Sequence, residues 1–97
     1  MSGYLLFRRD GSLWGVPSDA VAAVERAAGT RRVLRLRLAR AGEIPAEDIV
    51  EVVPQLAVRP LPRRLRAGLP PEATGLALHD GVPLVVLDPA AKERSRG

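Results

Sequence analysis

The stretch VPSDAVAAV at 16–24 returns, 28 residues on, as IPAEDIVEV at 44–52. Each copy reads branched aliphatic, Pro, small residue, acid, spacer, aliphatic, two spacers, Val. Val16, Val21 and Val24 of the first copy thus match Ile44, Ile49 and Val52 of the second. Taken singly, the copies point to different structures. In the first, Ser18 is placed to cap a helix through DAVAAVERAAG that ends at Gly29. Alanine is dense there, and Val21 and Val24 lie three apart, which is helical spacing. The alternative is a one-turn corner at 17–20 and then a strand at about 21–27. In the second copy Ile49, Val50, Val52 and Val53 favour a strand, and Pro45 and Pro54 bracket a span too short for a long helix. If the copies share a shape, both are strand–turn–strand corners. Local propensity and the repeat leave 19–28 open between helix and strand.

Working outward, YLLFRRDGSLWGV places two apolar runs around Asp10-Gly11, a dipeptide suited to a tight hairpin turn. This predicts strands at about 4–9 and 12–16, the first apolar on both faces and therefore covered on both. RRVLRLRLAR alternates strictly, with Leu34, Leu36 and Leu38 on one face and Arg35 and Arg37 on the other. Arg32 and Arg40 stand at its ends, where long side chains snorkel to water, and Ala41-Gly42 makes a turn. QLAVRPLPRRLRAGLPPEATG is rich in proline and cannot form continuous ladders. A short helix from Pro62 to Ala67 fits Pro at its start and Gly68 at its end. TGLALHDGVPLVVLDP predicts a second hairpin, with strands at about 75–79 and 83–87 around Asp80-Gly81. The sum is five to seven short strands and one or two short helices, the pattern of a small, mainly β barrel or sandwich.

Composition narrows the function classes. At 97 residues the chain is one domain, 1–91, followed by a charged tail at 92–97. Hydrophobic residues are 46% and charged residues 27%, enough apolar side chain for a core. The chain has no cysteine, which excludes disulfides, thiolate metal sites and thiol catalysis and fits a reducing compartment. No apolar run approaches the roughly 20 residues that span a bilayer, and MSGYLLFRRD does not read as a signal peptide. The expectation is a cytoplasmic protein with no membrane insertion. The net charge of +4 permits an acidic partner without requiring nucleic acid.

YLLFRRDGSLWGVPSDAVAAVER, the repeated IPAEDIVEVV, the proline-containing connection and the closing GLALHDGVPLVVLD together resemble a shortened CheW-like domain, the adaptor module of bacterial chemotaxis arrays. The resemblance spans about residues 4–89 and rests on hydrophobic patterns. It implies SH3-like β-barrel halves with CheW-like connectivity, each with its own corner. It also implies a non-enzymatic scaffold for protein–protein contacts in a bacterial chemosensory or related signalling assembly, using no cofactor. The partners it implies are a histidine kinase, a receptor or another CheW-like barrel, and self-association is a further expectation. AAGTRRVLRL stands where the family carries a loop resembling NLRG, so no docking residue carries over there. The contact residues expected are Trp14, Val21 and Val24 at the first corner and Ile49 and Val52 at the second, positions that equally suit a core.

A different function class comes from the arginines. Arg35 and Arg37 on one strand face, with Arg63, Arg64 and Arg66 in RRLR, suit a nucleic-acid-binding barrel. Such barrels add exposed aromatics for base stacking, and the three aromatics here, Tyr4, Phe7 and Trp14, all fall in the apolar first hairpin. Nucleic acid is therefore the less favoured partner, and a solvated arginine face is the plainer reading. His79 is the sole histidine, beside a turn, with no nucleophile and acid at a known catalytic spacing. Glu47, Asp48 and Glu51 read as a solvated corner rather than a metal site.

Overall fold

The computed structural model describes residues 3–26, 34–39 and 42–89. They form nine strands: β1 (Tyr4–Arg9), β2 (Ser12–Pro17), β3 (Val21–Arg26), β4 (Leu34–Leu38), β5 (Glu43–Ala46), β6 (Asp48–Val53), β7 (Arg59–Pro60), β8 (Ala73–His79) and β9 (Val82–Leu87). A 3-10 turn at Ser18–Ala20 separates β2 from β3, and one short helix, α1 (Arg63–Arg66), follows β7. Both expected hairpins form. Asp10 and Gly11 have φ of 53° and 75°, and Asp80 and Gly81 have 51° and 78°. Positive φ at both central positions marks the hairpin turn whose twist matches that of its strands, and Asp-Gly tolerates it at low steric cost.

The strands make two sheets. The larger runs β6-β1-β2-β9-β8-β7 and the smaller β3-β4-β5. All pairs are antiparallel except β2 with β9. The repeated segments are the two places where the chain changes sheets. The first copy leaves β2 of the larger sheet, turns through Ser18–Ala20 and enters β3 of the smaller. The second leaves β5 of the smaller sheet, bends at Glu47 and enters β6 of the larger.

The helix alternative for the first copy is overturned, because residues 21–26 are strand and pair with β4. A one-residue bulge explains the misleading spacing. Val21 lies opposite Leu38 and Val24 opposite Leu36, with Ala22 as the extra residue between them. Inserting one residue brings side chains three apart onto the same face of a strand. The second copy does the same at the matching position. Ile49 lies opposite Phe7 and Val52 opposite Leu5, with Val50 as the extra residue. Alanine's helical advantage is only tenths of a kcal/mol per residue, and strand pairing with a buried Leu36 exceeds it.

Two apolar clusters lie on opposite faces of the larger sheet. One fills the space between the sheets and includes Leu5, Phe7, Trp14, Val16, Leu36, Ile44 and Leu87. The other, on the far face, gathers Leu6, Val53, Ala77, Leu84 and Val86. Strand β1 supplies both, and Leu5, Leu6 and Phe7 are all buried, as its two apolar faces predict. The second cluster is tight around Gly15. A Cβ there would sit 3.0 Å from Leu84 Cδ1 and 3.2 Å from Leu6 Cδ2.

The larger sheet is also strongly rolled. His79 Nε2 on β8 lies 2.7 Å from Glu51 Oε2 on β6, although β1, β2 and β9 stand between those strands. Four flat spacings of about 4.8 Å would hold the strands about 19 Å apart, farther than these two side chains can bridge. The roll does not close into a barrel, since no ladder joins the two ends of either sheet among the described residues. The architecture is therefore two sheets rather than a closed SH3-like barrel. The expected helix at 62–67 is realised as the four-residue α1. The helix end at Gly29, the snorkelling Arg32 and Arg40 and the charged tail at 92–97 lie outside the described residues.

Candidate interaction surface

The five expected contact residues divide into two groups. Trp14 is only 9% exposed and belongs to the cluster between the sheets. Its indole Nε1–H donates to the Arg9 carbonyl at 3.1 Å, and the Arg9 guanidinium carbon sits 5.8 Å from the ring centroid. A buried indole with its polar end satisfied is a core residue, so Trp14 does not offer itself to a partner. Val21 and Ile49 are half-buried against the same cluster and also serve the interior. Val24 and Val52, matched in the repeat, are exposed, Val52 by 59%.

Val52 lies on β6, the edge strand of the larger sheet, whose outer side meets no strand among the described residues. Such an edge carries unpaired backbone donors and acceptors. The bulge also turns Val50 to solvent. The Glu51–His79 contact then brings the tip of the second hairpin to this edge. Leu78, next to His79, is 66% exposed, and Val82, directly opposite His79 in the ladder, is 49% exposed. Exposed aliphatics are thus the chain or ladder neighbours of both members of the pair: Val50 and Val52 adjoin Glu51 in β6, with Val52 on the opposite face of the sheet, Leu78 adjoins His79 in β8, and Val82 faces His79 across the ladder.

Leu78 and Val82 were not among the expected residues. Their signal in the sequence is an inversion along β8, where Gly75 and Ala77 are buried while the larger Leu78 points out. His79 is not the freely solvated turn residue expected. Its side chain is 22% exposed, placed between Glu51 and Asp80 Oδ2 at 3.5 Å.

The arginines also divide. Arg35 and Arg37 stand on the exposed face of β4, as alternation predicts. Each has an acidic neighbour on a flanking strand. Arg35 Nη1 lies 3.7 Å from Glu43 Oε2, and Arg37 Nη1 lies 3.2 Å from Glu25 Oε1. These two positive charges are locally balanced. Arg63, Arg64 and Arg66 on α1 are exposed and have no ion pair among the described residues.

The corner carboxylates go to separate partners. Glu47 Oε1 accepts the Gly11 N–H at 3.3 Å, and the Glu47 N–H donates to the Arg8 carbonyl at 2.7 Å. Glu51 faces His79, and Asp48 is exposed. An open cavity of about 370 Å³ lies at the first crossing, with Pro17, Leu38 and Asp88 among its walls. Among the described residues no helix is long and apolar enough to cross a membrane. Compared with known protein families, curated proteins and solved structures, the chain matches none.

Proposed function

We propose that this chain is a non-enzymatic adaptor that binds other proteins through the rim around Glu51 and His79, in the manner of a CheW-like domain within a bacterial chemosensory or related signalling assembly. One observation carries the proposal: β6 is an unpaired edge of the larger sheet with Val50 and Val52 exposed on it, and the Glu51–His79 contact brings to that edge a hairpin tip on which Leu78 and Val82 are exposed. An edge strand offers backbone hydrogen bonds to an incoming strand, and apolar side chains beside it supply contact energy. Binding energy concentrates in a few such side chains near the centre of an interface. The CheW-like reading itself rests on the repeated pattern at 16–24 and 44–52, each copy of which carries the chain between the two sheets. Such a surface suits a histidine-kinase regulatory domain, a receptor segment, another CheW-like barrel or a second copy of this chain.

The test is titration calorimetry against a CheW-like domain and against the regulatory domain of a chemosensory histidine kinase, with sedimentation to detect self-association. Wild-type protein should bind at least one of them or dimerise. The double variant Val52→Asp/Leu78→Asp should weaken that association at least tenfold, about 1.4 kcal/mol, without lowering the unfolding midpoint. A wild-type chain that stays monomeric and binds neither domain contradicts the proposal.

A further inference from the structure

Residues 54–71, within the connection between β6 and β8, carry Arg59, Arg63, Arg64 and Arg66 and no acidic residue, and Glu72 follows immediately before β8. Fifteen basic side chains less these four leaves eleven, against eleven acidic ones in the rest of the chain. Residues 54–71 thus carry four positive charges, and the whole connection, Glu72 included, carries +3 of the formal +4. All four arginines are exposed, and none makes an ion pair among the described residues. Arg35 and Arg37, by contrast, are each answered by a glutamate.

The segment is held in place. Arg59 and Pro60 pair with Leu76 and Gly75 of β8, and the Leu61 N–H donates to the Thr74 carbonyl at 3.2 Å. The Leu61 side chain is buried. Beyond it, the Leu65 N–H donates to the Pro62 carbonyl at 3.0 Å, and the Leu69 N–H to that of Arg66 at 3.1 Å. Leu65 itself is exposed in the midst of the arginines. A basic plate fixed to β8 loses little conformational freedom on binding, which favours its use as a docking element.

We propose that residues 59–66 dock an acidic protein segment, one whose Asp or Glu side chains meet Arg63, Arg64 and Arg66 and whose apolar residue meets Leu65. Guanidinium groups pair with carboxylates through two parallel hydrogen bonds. Phosphate offers the same match, so the apolar component decides. Leu65 and Val58 stand exposed here, whereas Phe7 and Trp14 are buried and Tyr4 is half-buried, leaving little aromatic surface for stacking bases. This surface uses other residues than the Glu51–His79 rim, so either can fail without the other.

The test measures affinity for three probes at two salt concentrations. The probes are a peptide repeating Glu-Glu-Leu-Glu, an oligothymidine of matching length, and vesicles of phosphatidylserine in phosphatidylcholine. The peptide should bind best, and more weakly at high salt. Arg63→Glu/Arg64→Glu/Arg66→Glu should weaken it at least about tenfold. Arg35→Glu/Arg37→Glu should change it less than about twofold, because those arginines are already paired. Leu65→Ser should weaken the peptide while leaving its salt dependence unchanged. Unfolding midpoints of the variants confirm that they fold. Equal losses in the two arginine variants, or tighter binding of oligothymidine or vesicles than of peptide, would overturn the proposal.

Discussion

At the first crossing Val16 is buried, Ala22 is the bulged residue and Val24 reaches solvent; at the second, Ile44, Val50 and Val52 hold the same three positions. Val21 and Ile49 match as well, each half-buried against the cluster between the sheets. The corners themselves differ. The first is a three-residue 3-10 turn tied to the chain's start: the Ser18 N–H donates to the Gly3 carbonyl at 2.8 Å, and the Gly3 N–H donates to Ser18 Oγ at 3.2 Å. The second is a single bend at Glu47 tied to the first hairpin through Arg8 and Gly11. Spacing of the aliphatics therefore sets burial and the bulge, while the residues at the corner set only what it is fastened to. Both crossings deliver the chain to an edge strand, β3 or β6, with the last valine of the repeat, Val24 or Val52, exposed.

The most severe way to break this correspondence is to empty the buried position of each copy. Ile44→Ala should cost about 2–5 kcal/mol in denaturant unfolding, and Val16→Ala somewhat less because fewer atoms are lost. If one proves costly and the other neutral, the two copies do not share a core.

A smaller effect sharpens the difference between the corners. Ser18 and Ala46 occupy matched positions, but Ser18 supplies a hydrogen bond and Ala46 is buried among apolar neighbours. Ser18→Ala should cost about 0.5–1.5 kcal/mol by removing the acceptor of the Gly3 N–H. The matched Ala46→Ser should cost about 1–3 kcal/mol by burying a hydroxyl without a partner. Two losses of differing cause at one repeat position are the expected outcome, read from unfolding midpoints. The smallest effect concerns the contact that joins the rim. Glu51→Gln or His79→Ala should change stability by less than about 1 kcal/mol, since the pair is partly solvated. His79→Ala should still alter partner binding, because it removes the Glu51–His79 contact from the rim.

Much of this structure is legible in the sequence. The Asp-Gly turns, the leucine face of β4 and the proline-led helix rest on local rules that tertiary packing did not override. The strand at 21–26 was ambiguous for a definite reason: a spacing of three belongs to a helix and equally to a strand with one bulged residue. Nothing local to Val21 or Val24 separates them; only the pairing with Leu38 and Leu36 does. Trp14 is similar, since apolar neighbours suit a core or an interface until the opposing sheet is placed. The rim was not legible because Glu51 and His79 lie 28 residues apart and meet only when the larger sheet rolls. The pairing of Arg35 and Arg37 likewise depends on β3 and β5 lying on either side of β4.

The absence of cysteine allows the most direct test, because single cysteines placed at 16, 22, 24, 44, 50 and 52 would be the sole thiols in each variant. Their rates of reaction with a soluble alkylating reagent report exposure at matched positions of the two crossings. Slow labelling at 16 and 44, with fast labelling at 22, 24, 50 and 52, is the result expected. Fast labelling at 16 alongside slow labelling at 44, or protection at 24 with reactivity at 52, would contradict the shared geometry on which this structure is built.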